Sequence, residues 1–404
     1  MKKTVNIRIV LCAAALSLAA LLAATTACDD SGSREESSSV EENTGTGGGT
    51  VENAGVAGGG TAVSSASYSN AGAFGLEGPG YITFVINVHD TVHVDESADT
   101  ILRLIGIYEK YGVRGDFYLT APIVKAYSES RPDVIERLQS SNMTISYHVR
   151  APHPLHSGFD KSLRGLDGAA LASTLRDYET YALDPATGDL FKDQPGGYTY
   201  VAQVFGRSPV SAPTPNKDPQ IKAAAEKIYA SLGAQMTLLY HEEGTDLNKP
   251  FVWVNGLLVR PSDFSITRWT LPGSQKVAHD EEPFWWNMLN TPEAGSYNPS
   301  AYLQQRLAEW SGSGADRPPI ITSLIHENNF SRSGPEGWSG RYFTGGDESR
   351  PLEPPFDLFA PDSSTLRSDA GQEAIWSAYE QMVAWASQNL MVVTSQDIVE
   401  LAKP

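Results

Sequence analysis

Three of the chain's eight histidines fall in one stretch, Tyr147-His148-Val149-Arg150-Ala151-Pro152-His153-Pro154-Leu155-His156. Imidazole is the commonest side-chain ligand for zinc and similar metals, and near neutral pH it also serves as a general acid or base. The stretch follows Met143-Thr144-Ile145, an apolar run that reads as a buried strand and so a rigid mount, and Pro152 and Pro154 stiffen what comes after. The plain alternative is a polar loop whose histidines cap backbone groups. Two further clusters weigh against it, because His89-Asp90 and His326-Glu327 each follow an apolar run of their own. Two nitrogen ligands and one carboxylate would leave an open metal position for water, the arrangement of a catalytic site.

The elements that must position these residues are legible as patterns. Residues 81–88 form a β-rich run without alternation, as expected of a strand covered on both faces. Ile101, Leu102, Leu104, Ile105 and Tyr108 then recur at helical spacing until Gly112. Residues 115–119 read as a second strand, 132–138 as a helix and 144–147 as a third strand, which predicts a parallel sheet with helices outside. After an irregular middle the pattern resumes with a helix over 219–232, a strand over 235–240 and a hairpin turning at Asn255-Gly256. A helix over 298–310, a strand over 320–325, a helix over 371–390 and a strand over 391–393 complete it. The class expected is α/β, a distorted parallel (β/α) barrel of about seven strands forming a single catalytic domain. Function gathers at the C-terminal ends of such strands, and all three histidine clusters fall there.

The N-terminal part carries a different message. Lys2, Lys3 and Arg8 precede an apolar run over 9–24, and small residues lead to Cys28, so 1–27 reads as a signal peptide of the bacterial lipoprotein kind. The only two cysteines are Cys12, inside that segment, and Cys28, which is left for lipidation. Residues 28–73 are rich in Gly, Ser and Glu with few large apolar side chains, the composition of a disordered tether. The domain then occupies 74–404. These features predict an exported protein, lipid-anchored to a bacterial membrane on the periplasmic side or cell surface, touching the membrane only through its anchor. The net charge of −18 argues against nucleic acid as a partner.

From Tyr81 to Leu401 the chain resembles the NodB-type polysaccharide deacetylases of the glycoside hydrolase/deacetylase barrel superfamily. That family's first strand ends in Thr-Phe-Asp-Asp, matched here by Asn87-Val88-His89-Asp90. Its two histidines followed by Pro are matched by His148 and His153-Pro154, and its late Leu-rich strand and histidine by Leu324-Ile325-His326. Four residues separate the paired histidines where the family has three, His89 stands where the family's base is Asp, and the Arg-Pro-Pro-Tyr-Gly motif is missing. Asp263 is a weak candidate for the group that orients the base. The resemblance implies a divalent metal on Asp90, His148 and His153, zinc before cobalt, nickel or manganese, and removal of acetyl groups from a glycan at C–N or ester bonds. His326 would be the general acid. His89 would be base, ligand or a group that holds a ligand in place. Arg150, His156 and Trp338, in a glycine-rich loop after His326, would reach the substrate, and the enzyme would act as a monomer. The alternatives are a glycan-binding lipoprotein without catalysis on the same fold, and a glycosidase of the same superfamily.

Overall fold

Strand β1 (Tyr81–Val88) is buried at every residue, as its unbroken apolar sequence demands, and it organises the sheet that carries the histidine clusters. Each fully enclosed Ile or Val there contributes about 1.5–3 kcal/mol. Helix α1 (Val94–Lys110) follows and turns Ile101, Leu104, Ile105 and Tyr108 inward. Just past it, Gly112 takes a φ of 66°, a conformation glycine adopts at no steric cost. Then come β2 (Asp116–Leu119), α2 (Ala121–Ser130), α3 (Pro132–Ser140) and β3 (Thr144–Tyr147). The computed structural model describes residues 69–70, 76–156, 158–237, 249–265, 298–333, 341–347, 349–361 and 364–403, all within one unit spanning 63–404.

Further elements include α4 (Gly168–Tyr178), α5 (Gly197–Phe205), β4 (Ser211–Ala212), α6 (Pro219–Leu232), β5 (Met236–Thr237), β6 (Val252–Val254) and β7 (Leu257–Val259). After them come β8 (Phe264–Ser265), α7 (Pro299–Ser311), β9 (Ile320–His326), α8 (Asp369–Asn389), β10 (Met391–Val392) and α9 (Ser395–Leu401). The first sheet runs β8-β9-β1-β2-β3, with β10 also on β1, and every pairing in it is parallel. In the second sheet β4, β5 and β7 are parallel, and β6 returns against β7 through the expected hairpin at Asn255-Gly256. Val210 N–H donates to the Ile145 carbonyl at 2.9 Å, so the chain entering β4 lies against β3. The parallel α/β class expected from the alternation of strands and helices is thus present. Ser69 and Asn70, counted with the tether in the sequence, pair antiparallel with Val252 and Trp253. Among the described residues no helix is long and apolar enough to cross a membrane.

Register decides what meets at the strand ends. Val88 lies opposite Leu119, Leu119 opposite Tyr147, and Asn87 opposite His326. Residues 89 and 148 therefore leave the sheet at one level, with His326 beside them. The core is shared between β1, β2 and β3 and the helices that cover them, and it takes in Trp310 and Trp376.

Candidate active site

His89, His326 and Arg150 converge above these strand ends. His89 Nε2 lies 3.3 Å from His326 Nδ1, and the Arg150 guanidinium donates toward both, at 2.9 Å and 3.3 Å respectively. A guanidinium can only donate, so His89 Nε2 carries a lone pair. Burial of the ring, then the charges of Arg150, His326, His148 and Arg341, hold the His89 pKa well below 6.5. His89 is accordingly a neutral base at neutral pH. His148 stands with its ring centroid 5.8 Å from that of His89, nine-tenths buried, and neither of its nitrogens has a hydrogen-bond partner.

Glu327 holds the β1 end of the site. Its Oε1 accepts from the backbone N–H groups of His89 at 2.5 Å and Asp90 at 2.6 Å, while Ser97 Oγ lies 3.4 Å away. It thereby grips the backbone of His89 and Asp90. The carboxyl is fully enclosed, and burial together with the Asp90 charge pushes its pKa up to about 8. His326 is fixed differently, its backbone N–H donating to Asn329 Oδ1 at 3.0 Å.

The ligand set implied by the resemblance is not assembled. Among the described residues no three His, Cys, Asp or Glu side chains stand together as one ion would require. Asp90 Oδ1 accepts from the N–H groups of Val92 and His93, each at 3.0 Å, and Oδ2 lies 3.0 Å from His93 Nδ1. Burial opposes ionisation of Asp90, but the bonds from His93 outweigh it and its pKa is lowered. His153 Nδ1 accepts from Leu155 N–H at 3.2 Å, and its Nε2 faces Glu179 Oε1 at 3.5 Å. The extra residue between His148 and His153 fits this outcome, since the second histidine leaves the strand end and anchors the loop instead. With the Arg150 guanidinium against His89, the residues do not fit a divalent cation as they stand.

His156 packs its ring beside Phe159 and Phe343, at centroid distances of 6.4 Å and 5.9 Å. Asp263 makes a two-pronged pair with Arg317 at 2.6 Å per arm and accepts from Ile320 N–H, at the start of β9 and so at the opposite end of the strand from His326. It does not orient a base. Trp338, Cys28 and the signal segment lie outside the described residues.

Sequence reasoning missed Arg341 and Phe359. Arg341 Nη1 and Thr91 Oγ1 both donate to the Leu358 carbonyl, at 3.4 Å and 2.5 Å, which brings residues 341 and 358 beside the His89-Asp90 turn. Phe359 follows with 62% of its surface exposed. No spacing along the chain could have signalled this approach, because more than 260 residues separate Thr91 from Leu358.

No family model and no curated protein matches the chain. Among solved structures it is similar to Puue allantoinase, at 11% identity and a TM-score of 0.44, over 80% of this chain and 90% of that one. It is similar to a putative polysaccharide deacetylase from Mycobacterium smegmatis at 13% and 0.42, over 83% and 94% of the two chains. A probable polysaccharide deacetylase from Pseudomonas aeruginosa PAO1 gives 12% and 0.40, over 80% and 91%. At these values the likeness assigns no activity to the chain.

Proposed function

We propose that the chain is a hydrolase that removes acetyl groups from a polysaccharide. The observation that carries this reading is the meeting of a neutral imidazole, a second imidazole and a guanidinium within 3.3 Å of one another at the ends of β1, β3 and β9. In the reaction, water attacks the acetyl carbon while His89 Nε2 takes its proton. Arg150 swings its donors from the histidines to the carbonyl oxygen and holds the negative charge that develops there. The proton taken by His89 passes across the 3.3 Å gap to His326 Nδ1. The His326 imidazolium so formed gives the proton of its other ring nitrogen to the departing amine or alcohol as the C–N or C–O bond breaks and acetate leaves. The glycan follows from the sequence resemblance and is supported by Phe359, an exposed aromatic ring of the kind that stacks on the C–H face of a sugar. On the same reading the chain is exported and lipid-anchored at Cys28, with the domain carried on a tether.

Acetate release from N- and O-acetylated oligosaccharides, with and without chelator, tests this. Release that survives chelation and is lost in His89→Ala and His326→Ala is the expected result. Release abolished by chelator would overturn this assignment of roles to His89, Arg150 and His326. One observation favours a second reading: an unassembled ligand set suits a glycan-binding lipoprotein. Tight glycan binding without acetate release would identify it.

A further inference from the structure

Two guanidinium groups serve this site, and the hydrolytic reaction uses one. Arg341 is anchored by its bond to the Leu358 carbonyl, which Thr91 shares, and its charge acts on His89 and on Tyr342 together with that of Arg150. Its Nε is buried and without a hydrogen-bond partner, and among the described residues it makes no ion pair. The nearby carboxylates are otherwise engaged. Asp90 is bonded to His93, Glu327 to backbone N–H groups, and Asp357 Oδ1 to the Phe359 N–H at 2.9 Å. His148 adds two buried ring nitrogens with no partner in the same region. A chain with a net charge of −18 thus places two guanidinium groups beside the His89-Asp90 turn.

A single guanidinium is enough to stabilise the charge that forms during acyl hydrolysis. A second, with an unsatisfied buried N–H, suits a charge that the ligand already carries, and guanidinium matches carboxylate geometry with paired donors. We propose that the site recognises an acidic glycan, with Arg341 binding a carboxylate on the sugar and Phe359 stacking against a ring beside it. The inference rests on the hydrolase reading for the idea that a sugar is the ligand, and names the class of sugar.

The test is calorimetric titration of the full chain with an unacetylated oligogalacturonate and with a neutral oligosaccharide of equal length. Neither can be deacetylated, so binding is read apart from turnover. The acidic ligand should bind at least tenfold more tightly, and Arg341→Gln should remove most of that advantage. Phe359→Ala should weaken both ligands alike. Equal affinity for the two sugars in the wild-type chain would overturn the proposal, and this comparison needs no variant to fold. Undiminished acidic preference in a folded Arg341→Gln would overturn the role of Arg341. Hydrolysis of a neutral acetylated glycan with no acidic preference would leave the hydrolase standing and remove this inference. Acidic-sugar binding without hydrolysis would do the reverse.

Discussion

His89 owes its chemistry to its neighbours. Enclosure disfavours the imidazolium, and the Arg150 guanidinium adds to that, so the ring sheds its proton well below pH 6.5. If it is the base, kcat/KM keeps its full value down through pH 6.5, and the acid limb lies at lower pH. An acid limb centred at 6.5 or above in a pH-rate profile would contradict this. Glu327 shows the opposite shift, and the sign is definite. A carboxyl raised from 4.5 to about 8 holds its proton in the folded state and loses it in the unfolded chain, so its stabilising contribution fades as pH rises toward 8. Glu327→Gln keeps an acceptor for the two N–H groups and never ionises. Its stability relative to wild type, from urea unfolding at pH 6 to 9, should rise with pH by up to about 1.4 kcal/mol per unit until about pH 8, then level off. A difference independent of pH would mean that Glu327 is ionised throughout. The residue types were legible in the sequence, since His89, Arg150, His148 and His326 all stand at strand ends as expected. The partners were not. That Asp90 turns to His93, and His153 to Glu179, depends on loop paths that no local pattern encodes.

At the scale of elements, the loop after β3 is tied down by a buried acid at the end of α4. Glu179 accepts from Tyr229 Oη at 2.6 Å and from Tyr198 N–H at 3.0 Å, and His153 faces it at 3.5 Å, so one carboxylate joins α4, α5, α6 and the histidine loop. Glu179→Ala strands a buried hydroxyl and a buried N–H and should cost about 2–4 kcal/mol in denaturant unfolding. It should also loosen residues 148–156, read as faster amide exchange there. A loss below about 0.5 kcal/mol would show the network to be incidental. The strands over 81–88 and 320–326 could be read from their unbroken apolar runs and the helix over 94–110 from its hydrophobic period. The helices α2, α4 and α5 went unread. The α4 segment buries only Leu171 and Leu175, too few to impose a period, although Thr120 before α2 and Asp167 before α4 are caps that mark their starts.

Over the whole molecule, an acidic chain gathers two guanidinium groups and several histidines at one end of a parallel sheet, and a lipid anchor is proposed at Cys28. Cys28→Ala should move the protein from the detergent phase to the aqueous phase in phase-separation extraction of expressing cells. Unchanged partition would show that lipidation is not what holds it. Arg150, with His89 and His326, is proposed to carry acyl hydrolysis. The most direct test is steady-state kinetics of Arg150→Gln on an acetylated oligosaccharide that the wild type turns over, with unfolding curves to show that the variant is folded. The variant's kcat should fall about 100- to 1,000-fold with KM little changed, because the guanidinium acts on charge that develops only in the transition state. A folded variant with unchanged kcat would contradict it.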